Sequence, residues 1–461
     1  MDISRRAFLS RASVLSIAGS ATPFLMNLAA MGEAAAATAT DYKALVCVFL
    51  YGGNDYANTL VPYDSAQYAS YTAQRAPLAY SQASLAGTVL MPTTPLPGGA
   101  QYALAPELGK LLPIFNAGKM AVMLNLGTLV QPTTKAQYQA NSVKLPPKLL
   151  SHNDQQSYWQ ASSPEGAASG WGGRIGDLLQ AGNGTASLTC INPSGNAVFL
   201  TGKSAIQYSV TPSGPIALNA RNSLQGSAAA ATLLQSLIGG GGTHQFEALH
   251  GAIGKRALDL YAQVSSALGQ ATATATVFPP SADPQSSLGA QLQMVAKLIS
   301  VSSQLGAKRQ VFFVSTGRYD THDGLATLHP TLMTNLADAM RAFYDTTVEL
   351  GVSSQVTTFT GSDFGRALTA NNDGTDHGWG SMHFVVGGAV NGKQYYGINP
   401  VLANGGPDDI GQGRLIPTMA VDQYAATLAN WFGVAASDLP TVVPSITNYA
   451  GSPLGINVGF V

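Results

Sequence analysis

The stretch ALVCVFL at residues 44–50, followed by YGGND at residues 51–55, decides the fold class. A short apolar run without polar alternation is typical of a strand that is covered on both faces. The two glycines that follow it allow a tight turn directly after the strand. We therefore predict that residues 44–50 form an internal strand of a largely parallel sheet.

Further segments along the chain alternate between strand-like and helix-like patterns. A second apolar run occurs at Met120–Leu126, and further strand candidates are Gln310–Ser315, Val356–Thr360 and His383–Val386. Apolar residues at helical intervals occur in Pro106–Asn116, Phe246–Leu268, Leu288–Leu305 and His329–Leu350. Strands that alternate with helices predict an α/β fold with a doubly wound, mostly parallel sheet.

The middle of the chain differs in composition from its surroundings. Residues 194–285 are rich in alanine, serine, threonine and glycine, and residues 272–284 have the composition of a loop or linker. We interpret residues 194–285 as a helical or irregular insertion, or cap, on one α/β domain that spans residues 40–461.

The N-terminus carries the pattern of an export signal. Arg5 and Arg6, followed by Phe8 and Leu9, resemble a twin-arginine signal, and the apolar stretch behind them is too interrupted for a stable membrane span. ATA at residues 37–39 offers a cleavage site, so we predict a signal peptide at residues 1–39. The expected partner is the twin-arginine translocase, and the expected location is the periplasm or the exterior. A retained N-terminal helix, acting as an anchor, is the alternative.

Composition and charge exclude one class of function. Charged residues make up 10% of the chain and the net charge is -1, so no basic field invites nucleic acid. Two cysteines, Cys47 and Cys190, cannot form a disulfide scaffold. We expect no nucleic-acid partner.

Acidic and imidazole side chains lie close to the predicted strands, mostly just after them. Ligands gather beyond the carboxyl ends of parallel strands, so these side chains are expected to converge on one site. Carboxylates and imidazoles are ligands for divalent ions, here zinc or manganese. The candidate metal ligands are Asp55, Asp320, His322, Asp363 and His377.

Each candidate also has a purely structural interpretation. Asp363 can cap a helix, and Asp320 can form a salt link with His322. His377 can be a hydrogen-bonded turn residue, and His383 is as consistent with a buried core histidine as with a ligand. Four other histidines lack a comparable setting: His152, His244, His250 and His329.

Five segments resemble the signatures of a bacterial family, the domain of unknown function 1501. They are VFLYGGNDYANTLVPYD (48–64), LPPKLLSHNDQQSYWQ (145–160), FTGSDFGR (359–366), GTDHGWGSMHFVVGGAV (374–390) and LIPTMAVDQYAATLANWFG (415–433). The family is placed in the alkaline phosphatase and sulfatase superfamily, so the resemblance implies a doubly wound α/β fold with a two-metal site.

The resemblance also implies roles for the candidate ligands. Asp55 matches the aspartate that binds one metal ion after the first strand, and Asp320 with His322 match the pair that binds the other. His377 matches the late histidine that completes the site. Asp363 retains an acid, but Phe364 stands where the superfamily has a histidine, so one ligand is missing.

Further residues are candidates for the nucleophile and for a contact with the substrate anion. Ser151, ahead of a predicted helix to Trp159, is the candidate nucleophile, activated by a metal ion; a helix cap is the alternative, and Thr133 and Thr134 are other candidates. Arg366 is the candidate contact for a phosphate or sulfate oxygen, with a surface or ion-paired arginine as the alternative.

Two functions follow from these expectations. The first is an exported metal-dependent hydrolase of phosphate or sulfate esters, whose partner is a small-molecule ester. The second is a non-catalytic exported binding or assembly protein on the same scaffold, whose partner is another exported protein. The missing nucleophile signal and Phe364 favour the second function, whereas Asp320, His322 and His377 favour the first.

Overall fold

A computed structural model describes residues 40–241, 244–280 and 287–461. The predicted signal peptide at residues 1–39 lies outside the described residues, as do residues 242–243 and 281–285 of the predicted insertion. No helix in the described ranges combines the length and the apolar character needed to cross a membrane.

The strands are short to medium in length, and the longest ones are almost entirely buried. In chain order they are β1 (Lys43–Leu50), β2 (Leu60–Pro62), β3 (Tyr102–Leu104), β4 (Met120–Gly127), β5 (Cys190–Asn192), β6 (Tyr208–Thr211), β7 (Gly214–Pro215), β8 (Arg309–Thr316), β9 (Val356–Ser362), β10 (Arg366–Ala370), β11 (Thr375–His377), β12 (Ser381–Gly387), β13 (Gln394–Tyr396) and β14 (Met419–Ala420).

The helices flank this set of strands. In chain order they are α1 (Ser65–Gln74), α2 (Gln82–Leu85), α3 (Leu112–Asn116), α4 (Lys135–Gln139), α5 (His152–Ala161), α6 (Trp171–Leu179), α7 (Ala228–Ile238), α8 (Gln245–Leu268), α9 (Leu288–Ser300), α10 (Leu325–Glu349), α11 (Val421–Phe432) and α12 (Leu439–Val442).

Most strands of the described chain join one sheet. Its order is β13-β4-β12-β9-β1-β8-β5-β6-β7, and β14 pairs with β4 as a tenth strand. β1 lies between β8 and β9 and is parallel to both. β12 is antiparallel to both of its neighbours, and β7 is antiparallel to β6 at the edge. The sheet is therefore mixed but mostly parallel.

Alternate residues of β1 enter two different hydrophobic cores. Val46 and Val48 pack in the core that includes side chains of α8, α9 and α10, whereas Cys47 and Phe49 pack in the core that includes side chains of α5, α6, α11 and α12. These β1 side chains have no exposed surface. Burial of each large apolar side chain stabilises the fold by about 1.5–3 kcal/mol, so a strand that is buried on both faces contributes strongly to the stability of the fold.

The predicted fold class is confirmed: the chain forms an α/β fold around a mostly parallel sheet with helices on both faces. The five predicted strands all exist, and each is longer than predicted by one or two residues at one or both ends. The predicted helix at 329–350 begins earlier, at Leu325, so that Pro330 lies inside it. Residues 106–116 form a 3-10 segment followed by a short α-helix, because Pro113 lies at the start of the latter.

The predicted insertion is not separate from the main domain. β6 and β7 extend the sheet beyond β5, and the C-terminal half of α8 buries Leu260 and Val264 in one of the two cores. By contrast, α7 and the first half of α8 expose several large apolar side chains, among them Leu237 and Phe246. The interpretation of residues 194–285 as an inserted cap stays a prediction.

A buried histidine makes the stability of the fold dependent on pH. Burial on β12 lowers the pKa of His383 to about 3, and the Thr360 hydroxyl lies 3.2 Å from its Nδ1. An unfolded histidine has a pKa of about 6.5. At a pH between the folded and the unfolded pKa, the unfolded chain therefore binds a proton at this residue and the folded chain does not. Below pH 6.5 this single group therefore lowers the free energy of unfolding by up to about 1.4 kcal/mol per pH unit.

We predict that His383→Gln makes the free energy of unfolding less dependent on pH between 6.5 and 4.5. Urea unfolding at several pH values measures this dependence. The matched control is His250→Gln, because His250 is exposed on α8. Equal pH dependence in the wild type and in His383→Gln would contradict the prediction.

Candidate metal centre

The register of the three central strands brings the predicted site loops to one edge of the sheet. Leu50 at the end of β1 is paired with Thr316 at the end of β8 and with Ser362 at the end of β9. The loops after these strands therefore begin at the same level. β12 is antiparallel to β9, so the segment that precedes β12 reaches the same edge.

Asp320, in the loop after β8, stands at the centre of the resulting cluster. Its Oδ1 lies 2.5 Å from Nη1 of Arg366 and 3.1 Å from Nε2 of both His322 and His377. Its Oδ2 lies 3.3 Å from Nε2 of His152. The carboxylate is 42% exposed, so the cluster is open to solvent on one side.

His377 is fixed by its strand and by one backbone carbonyl. It belongs to β11, where it pairs with Arg366 of β10. Its Nδ1 lies 2.7 Å from the carbonyl oxygen of Leu150, which can only accept a hydrogen bond. These partners assign the proton to Nδ1 and leave the Nε2 lone pair directed at Asp320. Leu150 presents that carbonyl from a left-handed conformation (φ 72°), which is rare for a branched residue.

His152 is fixed in the same manner from the opposite side. It is the first residue of α5, and its Nδ1 lies 2.7 Å from Oδ2 of Asp363. A carboxylate accepts this bond, which leaves Nε2 of the neutral ring without a proton. That nitrogen is buried and forms no hydrogen bond, although Asp320 lies 3.3 Å away.

These three residues bring together ligand atoms of the kind that bind metal ions. One ligand atom each from His152, Asp320 and His377 lie within 4.8 Å of one another. Both imidazoles use the ring N–H on the far side to bond an outer acceptor, which is the arrangement that orients metal-binding histidines. Two imidazoles and one carboxylate with an open side suit zinc or another first-row divalent ion.

The surroundings of the cluster shift the pKa values of His152 and His377 in opposite directions. The hydrogen bond to Asp363 raises the pKa of His152 above its ordinary value, against the effect of burial. Burial lowers the pKa of His377, although the Leu150 carbonyl acts in the opposite direction. Burial alone would raise the pKa of Asp320, but the hydrogen bond and charge of Arg366 outweigh it and lower that pKa.

Asp363, a predicted metal ligand, lies behind His152 and outside the group of three. Its Oδ2 accepts hydrogen bonds from His152, from the backbone N–H of Gly52 at 3.1 Å and from the amide of Gln156 at 2.7 Å. Its Oδ1 is buried without a partner. The neighbouring Phe364 is buried, and its ring centroid lies 4.9 Å from that of His152, so it forms part of the wall of the cluster.

Asp55, the other predicted ligand from the first loop, is not brought to the cluster either. Its Oδ1 accepts the backbone N–H groups of Ala57 and Asn58, each at 3.1 Å. Its Oδ2 is paired with the guanidinium of Arg75 and lies 3.3 Å from the hydroxyl of Thr375. Both oxygens thus have hydrogen-bond partners in a fully buried setting.

His322 lies at the open side of the cluster. Its Nε2 is 2.9 Å from Nε2 of His377 and 3.1 Å from Oδ1 of Asp320. Its ring is 47% exposed. The side chain is therefore close enough to add a further nitrogen to the three ligand atoms after a small movement.

The candidate nucleophile and the candidate anion contact are both engaged within the protein. Ser151 occupies the N-cap position of α5, but its hydroxyl donates to Asp154 at 3.0 Å and makes no capping bond. Thr134 caps α4, and Thr133 donates to a nearby carbonyl. Arg366 is fully buried and ion-paired with Asp320, which is the alternative that the sequence left open.

His152 is the site residue that the sequence interpretation missed. It lies more than 160 residues before Asp320 and does not follow a strand, so no local pattern links the two. The available signal was its position as the first residue of a helix, four residues before Gln156. Residues at that spacing share one helix face, and here both contact Asp363.

The fold and the site define an α/β protein with a candidate metal centre at the carboxyl edge of its sheet. The chain belongs to a family described as "Protein of unknown function (DUF1501)", whose model matches residues 42–409. No curated protein matches the chain at a significant level.

One solved structure similar to this chain is the PsFucS1 sulfatase from Pseudoalteromonas sp. The alignment has a TM-score of 0.35 and 10% sequence identity, and it covers 91% of this chain and 73% of the sulfatase. A TM-score this low carries no argument about activity.

We predict that the two histidines of the metal-free protein titrate on opposite sides of the ordinary value. NMR titration should give a higher pKa for His152 than for His377, because Asp363 holds the imidazolium form of His152. Asp363→Asn should lower the pKa of His152, since the charge that favours the imidazolium is removed. An unchanged His152 titration in that variant would contradict this account.

Proposed function

We propose that the protein is an exported, metal-dependent hydrolase of phosphate or sulfate esters. Its metal ligands are His152, Asp320 and His377, and His322 is the fourth protein ligand. Asp55 and Asp363, which the sequence also suggested as ligands, serve in this proposal to orient other groups. The metal is one divalent ion, zinc or manganese.

One observation carries the proposal. Two imidazole nitrogens and a carboxylate face one another, while the far nitrogen of each ring is held by a carbonyl or a carboxylate. The buried Nε2 of His152 has no hydrogen-bond partner. A nitrogen lone pair beside a carboxylate is unfavourable unless a proton or a cation lies between them.

A metal-free cluster has one other way to satisfy these groups. A protonated His152 can bridge Asp363 and Asp320, in keeping with its raised pKa. Metal binding at this site therefore displaces a proton and becomes tighter as the pH rises towards neutrality. The proposed centre and the ion pair are two states of the same residues, and pH and metal concentration select between them.

The chemistry of the proposed reaction divides between the ion and the protein. His152, Asp320 and His377 would hold a divalent ion at the open side of the cluster. Such an ion would supply polarisation of an ester oxygen and a lower pKa for a bound water. The Ser151 hydroxyl donates a hydrogen bond to Asp154, so an attack by Ser151 would pass its proton to that carboxylate, and water is the alternative nucleophile.

The substrate class and the export route rest on sequence resemblance. The twin-arginine pattern at residues 1–39 supports export to the periplasm or beyond, with the translocase as partner. Phosphate and sulfate esters follow from the resemblance to the alkaline phosphatase and sulfatase superfamily. Phe364 and the Arg75-bound Asp55 leave few ligands for a second ion, so the proposal departs from that superfamily in using one metal ion.

A second candidate function, an exported binding or assembly protein, is favoured by a different observation. Eight of the twelve large apolar side chains that the described residues expose lie between Ile206 and Val277. Several of them occupy α7 and the first half of α8. Exposed apolar side chains that are concentrated in one segment are consistent with an interaction site, so an inactive protein would be assigned to that class.

We predict that the folded protein without residues 1–39 binds about one zinc or manganese ion per chain and hydrolyses at least one phosphate or sulfate ester. Elemental analysis and a panel of chromogenic monoesters, diesters and sulfate esters measure the two properties. The double variant His152→Ala/His377→Ala should lose both, because two of the four proposed protein ligands are removed.

The matched control is His250→Ala, which removes an exposed histidine from α8. It should retain both metal and activity. Absence of bound metal after supply of zinc and manganese would exclude the metallohydrolase. Bound metal without hydrolysis of any ester would leave the binding or assembly protein as the function.

A further inference from the structure

We infer that Asp55 and Thr375 are positioning residues that orient the Asp320 carboxylate through Arg366. The inference rests on the proposed function, because it assigns these residues a role in holding a metal ligand. It gives Asp55, the acid after the first strand, a task other than metal binding, and it assigns a role to Thr375, which was not among the candidate site residues.

A continuous series of hydrogen bonds connects the buried interior to the cluster. Arg75 pairs with Oδ2 of Asp55, and the same oxygen lies 3.3 Å from the hydroxyl of Thr375. Nε of Arg366 donates to that hydroxyl, also at 3.3 Å. Nη1 of Arg366 then donates to Oδ1 of Asp320 at 2.5 Å.

The direction of each bond follows from the chemistry of the groups. A carboxylate only accepts, so the Thr375 hydroxyl donates its proton to Asp55. Its lone pairs are then turned towards Arg366, whose guanidinium only donates. Asp55 thus fixes the orientation of a hydroxyl that in turn fixes the plane of the guanidinium.

Arg366 is held on its other sides by backbone carbonyls. Its Nη1 also donates to the carbonyl of Gly52 at 3.2 Å, and its Nη2 donates to the carbonyl of Thr375. A guanidinium with this many fixed partners has little freedom, so its orientation is determined before any ligand arrives.

Burial separates the positioning residues from the group that they position. The side chains of Asp55 and Arg366 have no exposed surface, and Thr375 is equally buried, whereas the side chain of Asp320 is 42% exposed. An exposed aspartate ordinarily samples several rotamers, and binding a metal ion would cost that freedom. The buried array removes the freedom in advance, because Oδ1 is held by Arg366.

The test compares metal affinity in three variants with that of the wild-type protein. Thr375→Val removes the hydroxyl but retains the shape, Thr375→Ser restores a hydroxyl, and Thr357→Val is the matched control. Thr357 is a buried threonine on β9 whose hydroxyl has no hydrogen-bond partner. Affinity is measured by zinc competition with a chromophoric chelator, and ligand geometry by the visible absorption of the cobalt-substituted protein.

Thr375→Val should weaken zinc binding about 10-fold and change the cobalt spectrum, as expected when the outer partner of a metal ligand is lost. Thr375→Ser and Thr357→Val should match the wild type in both properties. Thermal unfolding separates these effects from a loss of fold. Should Thr375→Val fail to fold, Arg366→Lys, which retains the charge and lacks the Nε donor, should give the same weakening.

The outcomes separate this inference from the proposed function. A wild-type protein that binds zinc while Thr375→Val binds it as tightly as Thr357→Val would overturn the positioning role and leave the metal centre intact. A wild-type protein that binds no metal would overturn both.

Discussion

The parallel register of β1 with β8 and β9 is the constraint on which the rest of the structure depends. Because Leu50, Thr316 and Ser362 end their strands at the same level, three loops from distant parts of the chain begin at one edge. Burial of both faces of β1 in two apolar cores makes this register costly to change, since a one-residue slip would exchange its two sets of side chains. The cluster around Asp320 is a consequence of that packing.

Charged groups at this edge divide into those that face solvent and those that support them. Asp320 and His322 are partly exposed, whereas Asp55, Asp363 and Arg366 are buried and joined by hydrogen bonds to neighbouring groups. Burial of a charge is costly unless it is paired, and each of these three has a partner of opposite charge or a protonated one within reach. The buried charged groups therefore support the candidate site, and the exposed charged groups face the solvent.

The sequence was sufficient to predict the strands and most of the site loops, because both depend on local pattern. Strand-like patterns predict β1, β4, β8, β9 and β12, and the position of Asp320 and His377 beside such segments makes them candidate site residues. The roles of Asp55 and Asp363 depended on partners that local pattern does not reveal. Arg75 is the C-cap residue of α1 and His152 is the first residue of α5. Only the packing of these helices against the loops brings the two side chains to the carboxylates.

Phe364 is another residue whose contacts could not be predicted from local sequence pattern. The sequence showed that a histidine expected from the resemblance was missing, which suggested loss of function. In the structure, the Phe364 ring packs against the rings of His152 and His377, with centroids 4.9 Å and 4.7 Å away. Phe364 stands where a ligand was expected and packs against two of the proposed ligands. One of them, His152, supplies an imidazole from a different part of the chain.

The central claim is that His152, Asp320 and His377 converge on one metal ion. Crystals of the zinc-loaded protein, with anomalous diffraction recorded on both sides of the zinc absorption edge, test it most directly. The account predicts one strong anomalous peak per chain, about 2.0–2.2 Å from Nε2 of His152 and of His377 and from a carboxylate oxygen of Asp320. A peak bound to Asp55 or Asp363 in place of these atoms, or no peak at this edge of the sheet, would contradict it.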